Sequence, residues 1–454
     1  MADDRLAAYN ALRSIEKNGE YSEIALKKAE NTGLDSPSFT RELVYGTLER
    51  KLWLDWMLDA VIERGVKSVR TDTLILLRMG IYQIEFMDSV PDFSAVDETV
   101  KLAARRLHGQ SGFVNGVLRG YLRKRGKIAL PDETANRDKY LSVRYSCGMS
   151  LVKLLTREFG AEGAEKMLAF SLDRPPVFIR ANTCRTTVDE LRDELASCGV
   201  KTEPSRLSPR CLKTSGGRLT ATAAWREGRF SIQSEESCYI ADALGVSPGQ
   251  TVIDVCAAPG QKSFAAAESM NDRGAVFSGD IYGHRVELIN KEAGRLGLGC
   301  VKTYTGDARS LKKEFLGPDC SGIADAVLAD VPCSGIGVIR RKPEIKYRDF
   351  GSGSGQEGSI RELQATQREI LETSSGYVKP GGRLVYSTCT VTKEENRDIA
   401  RAFAEKHGSG SARGLSGKRD ADGAGAFKLT SERQLLPQTD DTDGFYVAVF
   451  TRIG

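Results

Sequence analysis

Apolar positions follow three different spacings along the chain. From about Arg5 to Lys127 they recur at helical intervals. Leu6, Tyr9, Ala11 and Leu12 open the pattern, and Leu74, Ile75, Leu77, Met79, Ile81, Tyr82, Ile84 and Phe86 make a stretch apolar on nearly every side. A helix apolar all round is a buried one, so this region is predicted to be an all-helical domain built about residues 74–86. Pro91 interrupts the pattern, Ser94 is the expected N-cap of the next helix, and Gly112 is expected to divide that helix from Val114, Val117 and Leu118. Trp53 and Trp56, at i and i+3, are expected to pack in its core.

From about Asn136 to Pro248 the pattern is mixed. A helical start (Leu151, Leu154, Leu155, Phe159) gives way to the extended Pro175-Pro176-Val-Phe-Ile-Arg180-Ala-Asn182, then to a helix over Thr187 to Ser197. This order predicts a small α+β layer that presents Arg180 and Asn182 outward. The remaining 200 or so residues alternate short apolar runs with helical stretches, as a doubly wound α/β sheet does. Gly351-Ser-Gly-Ser-Gly and Gly408 to Ala426 break that regularity and are expected to be loops. The predicted division is 1–135, 136–248 and 249–454, in line with the roughly three domains that 454 residues suggest.

Composition narrows the class. With 40% hydrophobic and 28% charged residues the chain is expected to be globular, and no apolar run reaches the roughly 18 residues of a membrane helix. A cytoplasmic location and no membrane partner are therefore expected. Ten Cys without CxxC pairs and only three His predict neither a disulfide framework nor a metal site. The net charge of +4 decides little, but its distribution is uneven. Lys101, Arg105, Arg106, Arg119, Arg123, Lys124, Arg125 and Lys127 occur without an acid between 101 and 130, and Arg340, Arg341, Lys342, Lys346 and Arg348 form a second cluster. Each suits a polyanion through counterion release; for the first a solvated face is an equal reading, while the second follows directly on the Cys333 turn and is placed to meet phosphates.

The candidate chemistry lies at predicted strand ends in the C-terminal region. Thr251-Val-Ile-Asp254 runs into Val-Cys256-Ala257-Ala258-Pro259-Gly260-Gln261-Lys262, a strand, tight turn and helix without the spacing of a phosphate-binding loop or a dinucleotide fold. Asp280 ends a second apolar run, where ribose hydroxyls can be met, with Arg285 flanking it. Asp307, after a third, can face an adenine amino group. Together they read as an adenosine pocket. Two cysteines complete the set, in Asp330-Val-Pro-Cys333-Ser-Gly and Tyr386-Ser-Thr-Cys389-Thr, each following a run that reads as a buried parallel strand. Cys256, Cys300 and Cys320 are read as packing residues.

These motifs, with Arg340-Arg-Lys-Pro-Glu-Ile-Lys-Tyr347 and Lys393-Glu-Glu-Asn396, resemble those of the Nop2/Sun family of S-adenosylmethionine-dependent RNA cytosine-5 methyltransferases from about Ser231 to Phe450. The resemblance implies a class I methyltransferase domain with S-adenosyl-L-methionine held by residues 256–262, Asp280, Arg285, Asp307 and Asp330. It implies that Cys389 adds to C6 of a cytosine, that Asp330 meets the N3 edge, and that Cys333 assists release. DNA cytosine-5 enzymes use a Pro-Cys thiol like Cys333 instead, so the presence of Cys389 is what favours the RNA arrangement. Positive charge at Lys262 and Arg340 is expected to favour the thiolate.

The helical region is similar to the antitermination factor NusB. That fusion is typical of members acting on small-subunit (16S) ribosomal RNA, which becomes the expected partner of a monomeric enzyme. Pro176-Val-Phe-Ile-Arg180-Ala-Asn182 resembles the family's PxxxRxN segment in an RRM-like subdomain, which implies RNA contacts by Arg180 and Asn182; Arg340, Arg341 and Lys342 are expected to grip phosphates. A transfer RNA substrate, or a largely non-catalytic RNA-binding assembly factor, are the competing readings.

Overall fold

The computed structural model describes residues 2–317, 319–350, 359–408 and 426–453. The two Gly-rich loops expected above fall largely outside those residues. The chain forms two compact units, Met1–Arg174 with Ile339–Gly351, and Pro175–Val338 with Ser352–Gly454.

The first unit is helical. Helix Thr71–Phe86 buries Ile75, Leu76, Leu77, Met79, Ile81, Tyr82 and Ile84, as its all-round apolarity requires. Trp53 and Trp56 pack half-buried against the same core. Two expected boundaries move. Helix Asp92–Arg106 starts at Pro91, so Ser94 lies inside its first turn, because proline supplies the extended entry itself. Helix Ser111–Lys124 contains Gly112, and the break before it is made by residues 107–110. Helices Arg137–Arg144 and Met149–Phe170 also belong to this unit.

So does the second basic cluster. Arg340 is buried with its guanidinium 4.0 Å from the centre of the Phe170 ring. The Lys346 ammonium is wholly buried, donates to the Glu49 carbonyl at 3.0 Å, and burial lowers its pKa. Ser22 donates to Glu344 at 3.0 Å. The phosphate grip expected from charge is thereby corrected for Arg340: packing and backbone acceptors have absorbed it and Lys346, while Arg341 is half-buried and Lys342 and Arg348 are exposed.

The second unit holds two sheets. The smaller contains β1 (Val177–Ala181), β2 (Lys201–Pro204), β3 (Cys211–Ser215) and β4 (Phe230–Ile232), antiparallel, in the order β2-β3-β1-β4. Helix Val188–Ser197 packs on it, started by a capping box in which Thr187 and Glu190 each satisfy the other's backbone N–H. Arg180 and Asn182 do not point outward. Both are 0% exposed, because β1 is an inner strand and both side chains are engaged by the methyltransferase-like part of the same unit.

The larger sheet has β5 (Thr251–Asp254), β6 (Ala275–Asp280), β7 (Val301–Thr305), β8 (Ala324–Asp330), β9 (Val378–Thr388), β10 (Ala426–Leu435) and β11 (Phe445–Ile453), in the order β10-β11-β9-β8-β5-β6-β7. Strands β9, β8, β5, β6 and β7 are parallel and β11 is antiparallel to both its neighbours. Strand order reverses between β5 and β8. In an open α/β sheet the ligand crevice lies there, beyond the carboxyl ends.

Candidate active site

The crevice collects the expected motifs. After β5 the turn 256–260 is closed by Gly260 N–H donating to the Ala257 carbonyl at 2.6 Å, and by Ala257 N–H donating to the Gly279 carbonyl at 2.7 Å. Gly260 has φ +104°, and a Cβ there would stand 2.4 Å from the Phe264 ring, so this turn demands glycine. Asp280 ends β6 nearly buried; one carboxylate oxygen accepts from Tyr282 N–H at 3.0 Å, and Arg285 stands 3.9 Å from the other. Asp307 is chelated by Arg309, whose hydrogen bonds hold the carboxyl below its usual range. Asp254 is buried with one oxygen accepting from Ser263 at 2.7 Å, and burial pushes its carboxyl up to about 7.

Three buried polar atoms around this turn, Asp254 Oδ1, Gln261 Oε1 and Ser278 Oγ, have no protein partner. A pyrophosphate-free turn, a nearly buried acid at the next strand end and orphaned acceptors suit the adenosine and amino-acid ends of S-adenosylmethionine. No cluster of three or more His, Cys, Asp or Glu suited to a metal occurs among the described residues.

Sheet register brings the cysteines together. Asp330 on β8 pairs with Ser387 on β9, so the two chains leave the sheet side by side three and two residues before the thiols. Cys333 Sγ and Cys389 Sγ lie 3.3 Å apart, both partly exposed. The hydrogen bond with Cys389, together with burial, holds Cys333 well above the usual thiol range, so it stays protonated. Asp330 accepts from Ser387 at 2.7 Å and from Lys262 at 2.6 Å. Burial opposes the charge on Lys262, but Asp330 outweighs it and the ammonium is held above its usual range, with Asp254 and Cys389 acting in the same direction. Lys262 therefore supplies the positive field expected around Cys389. Arg340 instead stacks within the first unit.

One organising residue was missed in the sequence. Glu395, wholly buried, accepts from Ser334 N–H at 2.8 Å, Ser334 Oγ at 2.6 Å, Thr392 Oγ at 2.9 Å, Thr390 Oγ at 3.3 Å and Gln367 at 3.0 Å. One carboxylate thus clamps the residue after Cys333 to the residue after Cys389. Its neighbour Asn396 accepts from Thr388 at 2.5 Å and donates to the Thr390 carbonyl at 3.0 Å, bracketing Cys389. The signal was the Lys393-Glu-Glu-Asn396 segment, in which Asn396 could be expected to order the Cys389 loop but which an exposed helix turn would share.

A third loop joins them. Gly337 N–H donates to the Cys389 carbonyl at 3.0 Å, and Gly444 N–H donates to the Gly337 carbonyl at 2.9 Å. A Cβ on Gly337 would fall 1.9 Å from the Gly444 carbonyl oxygen, so only glycine permits this approach. Asp443 N–H then donates to buried Glu236 at 2.7 Å.

The chain resembles known proteins over nearly its whole length. The family model for 16S rRNA methyltransferase RsmB/F matches residues 241–451, that of the NusB family residues 2–123, and that of the RsmF/B-like ferredoxin-like domain residues 150–218. The probable ribosomal RNA small subunit methyltransferase B of Bacillus subtilis (strain 168) is 36% identical over 453 residues, covering 98% of both chains. The protein of the same description from Synechocystis is 31% identical, covering 99% of both. The crystal structure of PH0851 shares the fold, with a TM-score of 0.80 and 24% identity over 99% of this chain and 98% of that one. On sequence, fold and site together, the chain belongs to the RsmB/F family of 16S rRNA methyltransferases.

Proposed function

We propose that the protein methylates C5 of a cytosine in 16S ribosomal RNA, with Cys389 as the covalent nucleophile and Cys333 as the residue that eases its release. The carrying observation is the thiol pair at 3.3 Å beside the Lys262–Asp330 ion pair. The family names above support the substrate; the chemistry of the pair supports the position on the base.

S-adenosylmethionine, when bound, supplies an electrophilic methyl group on a sulfonium. Residues 256–262 with Asp280, Arg285 and Asp307 would hold it. Cytosine C5 is too weak a nucleophile to take that group unaided. The Cys389 thiolate adds to C6, forming a C–S bond and pushing the C5=C6 electron pair toward C5. Lys262 stabilises the thiolate beforehand. Asp330 would meet the N3 edge of the ring; because N3 and the carboxylate are both acceptors, a proton taken up from solvent would be shared between them and offset the negative charge developing on the ring.

Once C5 is methylated, a base takes the C5 proton, the C–H electron pair restores the double bond, and Cys389 leaves. Cys333, held as a thiol, donates S–H to that departing sulfur. A stacked base hides C6, so the target must be unpaired or flipped out. The expected division is NusB-like (1–135), RRM-like (136–248) and catalytic (249–454), with helices Arg137–Arg144 and Met149–Phe170 clustering with the first part instead of the second.

Mass-spectrometric mapping of naked 16S ribosomal RNA incubated with S-adenosylmethionine tests it. One new 5-methylcytidine with wild type and none with Cys389→Ala is expected. Methylation of transfer RNA alone would overturn the substrate, and a methyl group elsewhere than C5 would overturn the mechanism.

A further inference from the structure

Arg180 and Asn182 belong to a motif expected to touch RNA, yet neither reaches solvent. Each of the three guanidinium nitrogens of Arg180 donates a hydrogen bond inside the unit. Its Nε and one terminal nitrogen donate to the two oxygens of Glu268 at 2.7 and 2.8 Å, and the other terminal nitrogen donates to the Gln261 carbonyl at 2.8 Å. Both partners lie on helix Gln261–Ser269, the helix that follows the 256–260 turn.

Asn182, just past the end of β1, donates to the carbonyls of Gly228 at 2.8 Å and Leu296 at 3.0 Å. Leu296 ends helix Gly283–Leu296, the helix that follows Asp280. Arg210, beside Glu268, adds a hydrogen bond to the Ala265 carbonyl at 3.1 Å. The small sheet therefore grips the helices behind both cofactor strands, one through each motif residue.

We infer that Arg180 is a positioning residue for the cofactor turn, and that the Arg180–Glu268 pair sets S-adenosylmethionine affinity instead of contacting RNA. The inference rests on the cofactor pocket described above. The guanidinium alone spans a carboxylate and a carbonyl at once; a lysine at 180 reaches one of them, and the Gln261 turn loses its brace.

The test uses the full-length chain with Arg180→Lys and, separately, the nearly isosteric Glu268→Gln. Calorimetric titration with S-adenosylmethionine, filter binding of naked 16S ribosomal RNA without cofactor, and steady-state kinetics are compared with wild type. Expected are a rise of about tenfold in the dissociation constant and KM for S-adenosylmethionine, the scale of one lost charge-assisted hydrogen bond, with kcat at saturating cofactor and RNA affinity within about twofold of wild type.

Should Arg180→Lys fail to fold, Glu268→Gln must give the same split by itself. Loss of RNA affinity with cofactor affinity unchanged overturns the inference. So does a fall in kcat at unchanged KM, which is what a merely less stable fold would give. A wild-type protein that binds RNA but no S-adenosylmethionine would overturn the pocket itself, a distinct failure visible before any variant is made.

Discussion

The two sheets of the second unit treat their motif side chains in opposite ways. In the large sheet Asp280, Asp330, Cys333 and Cys389 stand where parallel strands end, partly open or with carboxylate oxygens still able to accept. In the small sheet Arg180 stands on an inner strand and Asn182 just past its end, both fully buried and hydrogen-bonded to neighbouring helices. A charge at a strand end keeps a side for a ligand; a charge within a strand survives burial only when another part of the protein neutralises it. Motif residues of the first kind should therefore govern rate, and those of the second kind affinity or stability.

Substitutions can sharpen or break that contrast. Cys389→Ala should cost the most rate, at least about 10³-fold in turnover, with little change in melting. Asp330→Asn keeps its shape and can still accept from Ser387, and should lower kcat by about 10²-fold; because the Lys262 ammonium loses its ion-pair partner, a fall in melting temperature should accompany it.

Glu395→Ala should do the reverse of Cys389→Ala: it strips the acceptor from Ser334, Thr390, Thr392 and Gln367 at once and should destabilise by about 3–5 kcal/mol in denaturant titration. Full stability in that variant would break the distinction.

The smallest effect expected is on pH. Burial, reinforced by Asp443, raises the Glu236 carboxyl from 4.5 to about 7. Between those values the folded state holds a proton that the unfolded chain releases, so this residue makes stability fall as pH rises through that window and level off above it. Glu236→Gln mimics the protonated acid. It should raise Tm at pH 8 by roughly 2–4 °C, about 1 kcal/mol, with the gain vanishing near pH 4.5, as followed by circular dichroism.

The strand-end half of this contrast was legible in sequence. An apolar run of four to seven residues followed by Asp or Pro-Cys marks a buried strand leaving its sheet, and several such runs place their ends in one crevice without any knowledge of contacts. Helix Thr71–Phe86 was legible for a similar reason, its apolarity being local.

The buried half was not. Arg180 meets a carboxylate 88 positions away, and Ser334 meets Glu395 61 positions away; nothing near either residue announces the partner. Residues 340–348 show the same limit, since a run of Arg and Lys looks solvated until Phe170 and the Glu49 carbonyl are found against it. The helix expected over Thr187 to Ser197 was readable to within one residue, its start being one residue later with Thr187 as the cap.

The central claim concerns which of two touching thiols bonds to the base. Incubating Cys333→Ala protein with 16S ribosomal RNA and S-adenosylmethionine, separating the mixture on a denaturing gel and mapping the cross-linked peptide tests it directly. A covalent protein–RNA adduct attached through Cys389 should accumulate because release is slowed. An adduct formed by Cys389→Ala protein through Cys333 would contradict it.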